Sequence, residues 1–273
     1  MACNFLLAGH HCKGSSNHLA ILGDDYLELL GEEPHNANKP GIKWVHPHGL
    51  AGLVFKTEDA DRSWTALSDR HIPLEGNAPS TFHHPVELNG QLLGNARFRT
   101  LGIAAQRIPN GRVFFCEHGT PELVWRSEWQ THANGASGLA EYVYVTPDPN
   151  ASVDLFEQAF GSENISWHTH GVCFQAGAVA LWYLTRDGVA EHYRIDVALV
   201  PQDIERAIGL TVKVNSLAHT LTLLADNDMV FVSDDSKQIV LAPGQAQAVI
   251  LASVRGRWRG VRYPAAHEKM FSY

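Results

Sequence analysis

Three side chains of this sequence have the types and settings of metal ligands: Glu28, His118 and Glu122. The run Val113-Phe114-Phe115-Cys116-Glu117-His118 carries an apolar strand into an imidazole, and Gly119-Thr120-Pro121 then separates that imidazole from Glu122. Earlier, Tyr26-Leu27-Glu28-Leu29-Leu30 sets a carboxylate inside an apolar strand. A buried charge there costs several kcal/mol unless a metal, a proton or a partner neutralises it. A borderline-soft imidazole beside carboxylates suits Zn, Fe, Mn or Ni, and such an ion polarises a carbonyl or a vicinal diol. Two other readings stand beside this one. His118 and Glu122 can cap the turn at 119–121 by hydrogen bonds, and Glu28 can pair with Arg97, Arg99 or His18. Asn17, His18 and Trp125 are the substrate-binding candidates. Asn17 would orient a carbonyl or close a turn, His18 would act as acid, base or strand-edge imidazole, and Trp125 would wall a pocket. Phe114 and Phe115 read as core, because alternate residues of a strand must face one.

The elements that position these residues follow a unit that occurs three times: an apolar strand, a polar turn, an amphipathic helix, then further strands. The first runs from Gly49 through Phe55 to Asp59, with a helix through Trp64 and Leu67. The second runs from Glu141 through Val145 to Asp148, with Val153, Phe156 and Phe160 on one helix face and Gly161 as the stop. The third runs from Ile208 through Val214 to Asn215 and Ser216, with a helix through Leu217, Leu221 and Leu224. Asp59, Asp148 and Asn215 or Ser216 are placed to accept from free amides of a first helical turn. Strands are expected at 96–103 and 112–116, at 172–174 and 179–185, and at 229–232 and 249–252, so each unit reads as βαβββ. A fourth unit should come first, but only its later strands, at 17–23 and 26–30, are legible; its first strand and helix read as missing, so the amino end is expected to be truncated. The breakers Asn134-Gly135 and Ser137-Gly138 place a domain boundary between residues 136 and 137.

Composition limits the partners. The chain has 273 residues, 45% of them hydrophobic, and a formal charge of -8 from 21 Lys+Arg against 29 Asp+Glu. That is enough to bury a real core, and the absence of a basic block argues against nucleic acid or an anionic membrane. Four cysteines without a CxxC pair imply a reducing compartment, and no stretch approaches the roughly 18 apolar residues of a membrane span. The expectation is a cytoplasmic protein with a small-molecule ligand.

The run Gly14-Ser15-Ser16-Asn17-His18-Leu19, leading through Leu22-Gly23-Asp24 to Tyr26-Leu27-Glu28-Leu29, resembles the glyoxalase-like group of the vicinal oxygen chelate superfamily. His118 through Gln130, continuing to His132, Asn134 and Gly135, is similar to the same group. The resemblance implies an α+β fold of tandem βαβββ modules paired into two domains, 1–136 with an incomplete first module and 137–273. It also implies a divalent metal held by His and Glu from first and last strands, and lyase, isomerase or dioxygenase chemistry on vicinal oxygens. On that pattern Glu28 and Glu122 match last-strand ligands, whereas the first-strand position of the second module falls on Gly52. Glu141 holds that position in the third module and Gly209 in the fourth, so the second domain is expected to bind no metal. Loss of first-strand ligands equally fits a metal-free protein that sequesters a flat or aromatic compound, or an inactive truncated relative. An open sheet edge left by a missing strand would pair with another chain, as in a homodimer.

Overall fold

The computed structural model describes residues 3–6, 9–10, 15–32, 49–202, 204–234, 237–241, 244, 246 and 249–256. Three complete βαβββ units are present. The first comprises β4 (Gly52–Thr57), α1 (Ala60–Asp69), β5 (Ser80–Leu88), β6 (Gln91–Gly102) and β7 (Arg112–His118), in a four-stranded sheet of order β4-β7-β6-β5. Ahead of it lie β1 (Gly9–His10) and the hairpin β2 (Ser15–Leu22) and β3 (Asp25–Glu32), a separate three-stranded sheet. The second unit is β8 (Ala136–Val145), α2 (Pro149–Phe160), β9 (Ile165–His168), β10 (Gly171–Ala176) and β11 (Val179–Leu184). After helix α3 (Arg186–Tyr193) comes the third: β12 (Arg206–Val214), α4 (Leu217–Asp226), β13 (Phe231–Asp234), β14 (Gln238–Leu241) and β15 (Ile250–Arg255). The last two units share one eight-stranded sheet in which β8 and β12 meet antiparallel at the centre, each parallel to its own closing strand, β11 or β15.

The helix starts follow from short polar side chains. Asp59 accepts from the Arg62 amide at 2.9 Å, Asp148 from Ala151 at 3.1 Å and Ser216 from His219 at 3.2 Å, satisfying amides that the first turn leaves without partners. The first two units repeat a finer device. Thr57 and Thr146 each accept from the amide of the capping Asp, and each meets a serine six residues on, Ser63 at 2.6 Å and Ser152 at 2.7 Å. The core is aromatic where the two halves meet. Phe156 of α2 stacks with Phe174 at 5.3 Å and lies 5.8 Å from Phe55 of β4, which in turn stacks on Phe115 at 5.3 Å.

The segment between β7 and β8 is a seam rather than a loose linker. His132 and Asn134 are buried there, the His132 ring bonds the Ile21 carbonyl at 2.5 Å, and Thr220 donates to the Asn134 carbonyl at 3.0 Å. Strands β1, β5, β9 and β14 and helix α3 lie outside the sequence expectations. β5 carries His83, His84 and Pro85, and proline is tolerated in a strand at a sheet edge, which is where β5 runs. α3 is only 8 residues long and carries Gly188 in its first turn, which weakens any helical signal. No described helix is long and apolar enough to cross a membrane.

Candidate functional site

The β2–β3 hairpin packs on the four-stranded sheet through a second apolar cluster that includes Ile21, Phe98, Cys116 and Val124, with Tyr26, Val54 and Trp125 against it. Strand alternation sets what faces this seam. On β7, Val113 and Phe115 enter the main core, so Cys116 and His118 point the other way, toward the hairpin. On β3, Tyr26 and Glu28 share a face, and Leu29 is exposed.

Glu28 accepts one hydrogen bond, from the Asn17 amide to Oε1 at 2.8 Å, and Asn17 is itself buried. Arg99 is committed elsewhere, to Asp61 at 2.7 Å and to Glu117 at 3.5 Å, so it does not neutralise Glu28. Burial raises the Glu28 carboxyl above its ordinary range, and the Asn17 amide only partly offsets this. The neighbouring Cys116 thiol is pushed up to about 12 by burial and then by the charges of Glu28 and Glu117. It is therefore a protonated, inert side chain at neutral pH.

His118 sits among aromatic rings: Phe98 at 5.2 Å, Trp125 at 5.5 Å and Tyr26 at 6.1 Å between centroids. Its Nε2 is buried and has no hydrogen-bond partner among the described residues. Lys56 is exposed and lies over Trp125 with Nζ 3.6 Å from the ring centroid, so the indole carries a cation on one face. Burial, and then repulsion by Lys56, lower the His118 imidazole to about 4 from its ordinary 6.5, against a backbone hydrogen bond at Cys116. Between those values the folded chain binds fewer protons than the unfolded chain. The stability tied to the neutral ring is therefore complete above about pH 6.5 and is lost as the pH falls toward about 4. At about 1.4 kcal/mol per unit, discounted for partial exposure, the loss is at most about 3 kcal/mol. His118→Phe, which keeps a ring in the aromatic box, is expected to flatten that acid limb when urea midpoints are compared across the window; an unchanged slope would place the acid sensitivity elsewhere.

Glu28, Asn17, His118 and Trp125 are thus brought to one face, and the other two candidates are not. His18 is exposed on the far side of β2, its Nδ1 at 2.8 Å from the Leu6 carbonyl oxygen. Glu122 is exposed on a 3-10 turn, Pro121–Leu123, whose Leu123 and Val124 take the inward positions. That turn has no side-chain cap, so His118 and Glu122 do not cap it either. Among the described residues no three His, Cys, Asp or Glu side chains converge as a metal-holding group, so the set Glu28, His118 and Glu122 is not assembled. Tyr26, Lys56 and Cys116 join the face without having been singled out. Lys56 was legible in principle, two residues after Val54 on a strand whose register was already clear.

Glu141, the matching carboxylate of the carboxy-terminal sheet, is buried and satisfied from within the chain. Thr211 donates to Oε2 at 2.8 Å, and His192 of α3 lies at 3.1 Å from the same atom. The opposite position is Gly209 for a steric reason: a Cβ there would meet the Tyr193 hydroxyl at 2.4 Å.

Tandem βαβββ units, the last two paired about one shared sheet, match a vicinal-oxygen-chelate fold. Over 93% of this chain and 90% of the other, it is similar to a hypothetical protein from Staphylococcus aureus, with a TM-score of 0.64 at 11% identity. It is similar also to a triple mutant of 4-hydroxymandelate synthase from Streptomyces coelicolor, with a TM-score of 0.57 at 12% identity over 98% of this chain and 89% of that one. No curated protein matches the sequence. The family model of the glyoxalase-like domain matches residues 6–160, more than half of the chain and across the 136/137 position, and the protein belongs to that family.

Proposed function

We propose that the protein is an isomerase or lyase of the vicinal oxygen chelate type that moves a proton beside a carbonyl of a small organic substrate, with Glu28 as the base. One observation carries this reading: a carboxyl with raised proton affinity is fixed by a single amide on an apolar wall, the environment that tunes a carboxylate for proton abstraction near neutral pH. Asn17 orients Glu28 and Trp125 offers the substrate a flat apolar surface. A divalent ion, Zn, Fe, Mn or Ni, would find Glu28 and the unclaimed Nε2 of His118 on this face, but Glu122 is not there to complete the set, so the proton transfer is assigned to Glu28 alone. The aromatic rings around His118 also favour a second reading, capture of a flat compound without turnover. The free thiols of Cys3, Cys116 and Cys173 fit a cytoplasmic setting.

The test is solvent deuterium exchange. Incubation in D2O with 2-oxoaldehydes, 2-oxo acids and α-hydroxy ketones, followed by proton NMR, is expected to show enzyme-dependent label in one of these classes, with the rate retained after dialysis against a chelator. Tight binding with no exchange would favour capture. Exchange that vanishes with the metal, in a protein retaining about one equivalent through Glu28 and His118, would return the site to metal-assisted chemistry.

A further inference from the structure

The eight-stranded sheet has a second face that the proposed reaction does not use. α2 and α4 cover one side of the sheet, and on the other α3 packs through Val189 and Tyr193 against Val143, Val145, Leu184 and Ile208. A cleft of about 470 Å³ remains between α3 and the sheet, and its lining includes Glu141, Trp182, Glu191, His192, Arg194 and Lys237. No residue of the Glu28 face takes part. The two cations of the lining, Arg194 and Lys237, each have a partner of their own, so neither is free to meet a ligand. What the cleft offers is acceptors.

Glu141 is 5% exposed and stays ionised at neutral pH: burial pushes its carboxyl up, but the bonds from His192 and Thr211 outweigh this and hold it below the usual carboxylate range. Both bonds fall on Oε2, His192 at 3.1 Å and Thr211 at 2.8 Å, and Oε1 accepts none among the described residues. No Lys or Arg pairs with this carboxylate there either. A buried ion held only by hydrogen bonds gains most from a cation placed beside it. A second acceptor follows from the first. With Nε2 of His192 donating to Glu141, the uncharged ring keeps a lone pair on Nδ1, which has no hydrogen-bond partner among the described residues. Glu191, the neighbour of His192 on α3, adds an exposed carboxylate whose ion contact among the described residues is the exposed His170, 3.5 Å away. The Trp182 N–H is sealed from solvent and lies toward Glu141, so what the indole gives a ligand is ring surface, steadied by His168 at 4.8 Å and His192 at 5.4 Å. An indole face attracts cations.

We infer that this cleft is a second small-molecule site, and that it takes a primary organic ammonium with an aromatic or apolar body. The ammonium N–H groups donate to Glu141 Oε1 and His192 Nδ1, the charge is met by Glu141 and Glu191, and the body lies on Trp182 beside Leu184 and Val254. The volume is that of a ligand pocket, and a few polar groups of one kind on a partly apolar lining are what orient a small molecule.

Isothermal titration of the full chain at neutral pH with benzylammonium, the neutral near-isostere benzyl alcohol, benzyltrimethylammonium and benzoate tests this. Benzylammonium is expected to bind at least tenfold tighter than the other three: the alcohol lacks the charge, the quaternary ion lacks the N–H donors, and benzoate has the wrong sign. Glu141→Gln is expected to weaken benzylammonium about tenfold, the worth of one charge-assisted contact, with circular dichroism showing that the sheet is intact. Glu191→Gln, a change on an exposed residue that leaves the fold alone, should weaken it severalfold, and keeps the test decisive if Glu141→Gln does not fold. Glu28→Gln should bind it as the parent does. Four results would overturn the inference: no binding of benzylammonium, equal binding of any of the other three probes, affinity unchanged in Glu191→Gln and in folded Glu141→Gln, or affinity lost in Glu28→Gln. The last would move the ammonium to the amino-terminal face. Because the two sites share no residue, failure here leaves the Glu28 reading untouched, and absence of deuterium exchange leaves this one untouched.

Discussion

Glu28→Gln is expected to slow deuterium exchange into the substrate by about 10²- to 10⁴-fold, the usual contribution of a positioned general base, while the protein remains folded. The substitution is nearly isosteric, and the amide oxygen still accepts from Asn17, so packing on β3 is preserved. What disappears is the ability to take a proton. The sign of the stability change separates this from simple damage. Because the Glu28 carboxyl is raised above its ordinary 4.5, the folded state holds the proton more tightly than the unfolded state, and the native protein loses stability as the pH rises above about 4.5. Glutamine carries no such penalty. The variant should therefore be at least as stable as the parent at neutral pH and yet almost inactive. Normal exchange in a stable Glu28→Gln protein would remove Glu28 from the chemistry. A variant both inactive and unfolded would show instead that the carboxylate is structural.

Phe156→Ala is expected to destabilise the protein by about 3–5 kcal/mol, the range for truncating a buried aromatic and leaving a cavity. Phe156 is 1% exposed and touches rings from both halves: Phe174 at 5.3 Å and Tyr183 at 5.9 Å on one side, Phe55 at 5.8 Å on the other. Its loss therefore weakens the joint between β4 and the carboxy-terminal sheet, not one unit alone. Urea unfolding followed by far-ultraviolet circular dichroism and by tryptophan fluorescence should shift to lower midpoints together, because Trp64, Trp125 and Trp129 report on the first half and Trp167 and Trp182 on the second. Two separated transitions, with only one moved, would mean that the halves are independently stable and that the aromatic stack does not couple them.

The parts of the fold that were legible from sequence are those set by local chemistry. Asp59, Asp148 and Ser216 mark helix starts because capping needs only a short polar side chain and three following amides. Glu28 stood out because an acid inside an apolar strand is expensive wherever the strand goes, and burial does raise its carboxyl above the ordinary range. Its partner was not legible. Arg97, Arg99 and His18 were natural candidates by charge, but the cross-strand geometry of β2 and β3 delivers Asn17, while Asp61 holds Arg99. Glu122 failed for a related reason. Four residues after His118 would keep a strand's face, but Pro121 begins a 3-10 turn and alternation ends there. The pairing of Glu141 with His192 joins residues fifty-one positions apart through a short helix, and no periodicity announces such a contact.

Helix α3 bears on how this scaffold can diversify. Its 8 residues occupy the hollow of a sheet whose own strands pair continuously around it. Sequence change in α3 can therefore recast this face of the sheet without altering strand register, which is the costly thing to disturb in an eight-stranded sheet. Relatives with the same strands and a different α3 would keep the architecture and differ in the surface this half presents, much as antibodies vary through loops on a constant framework.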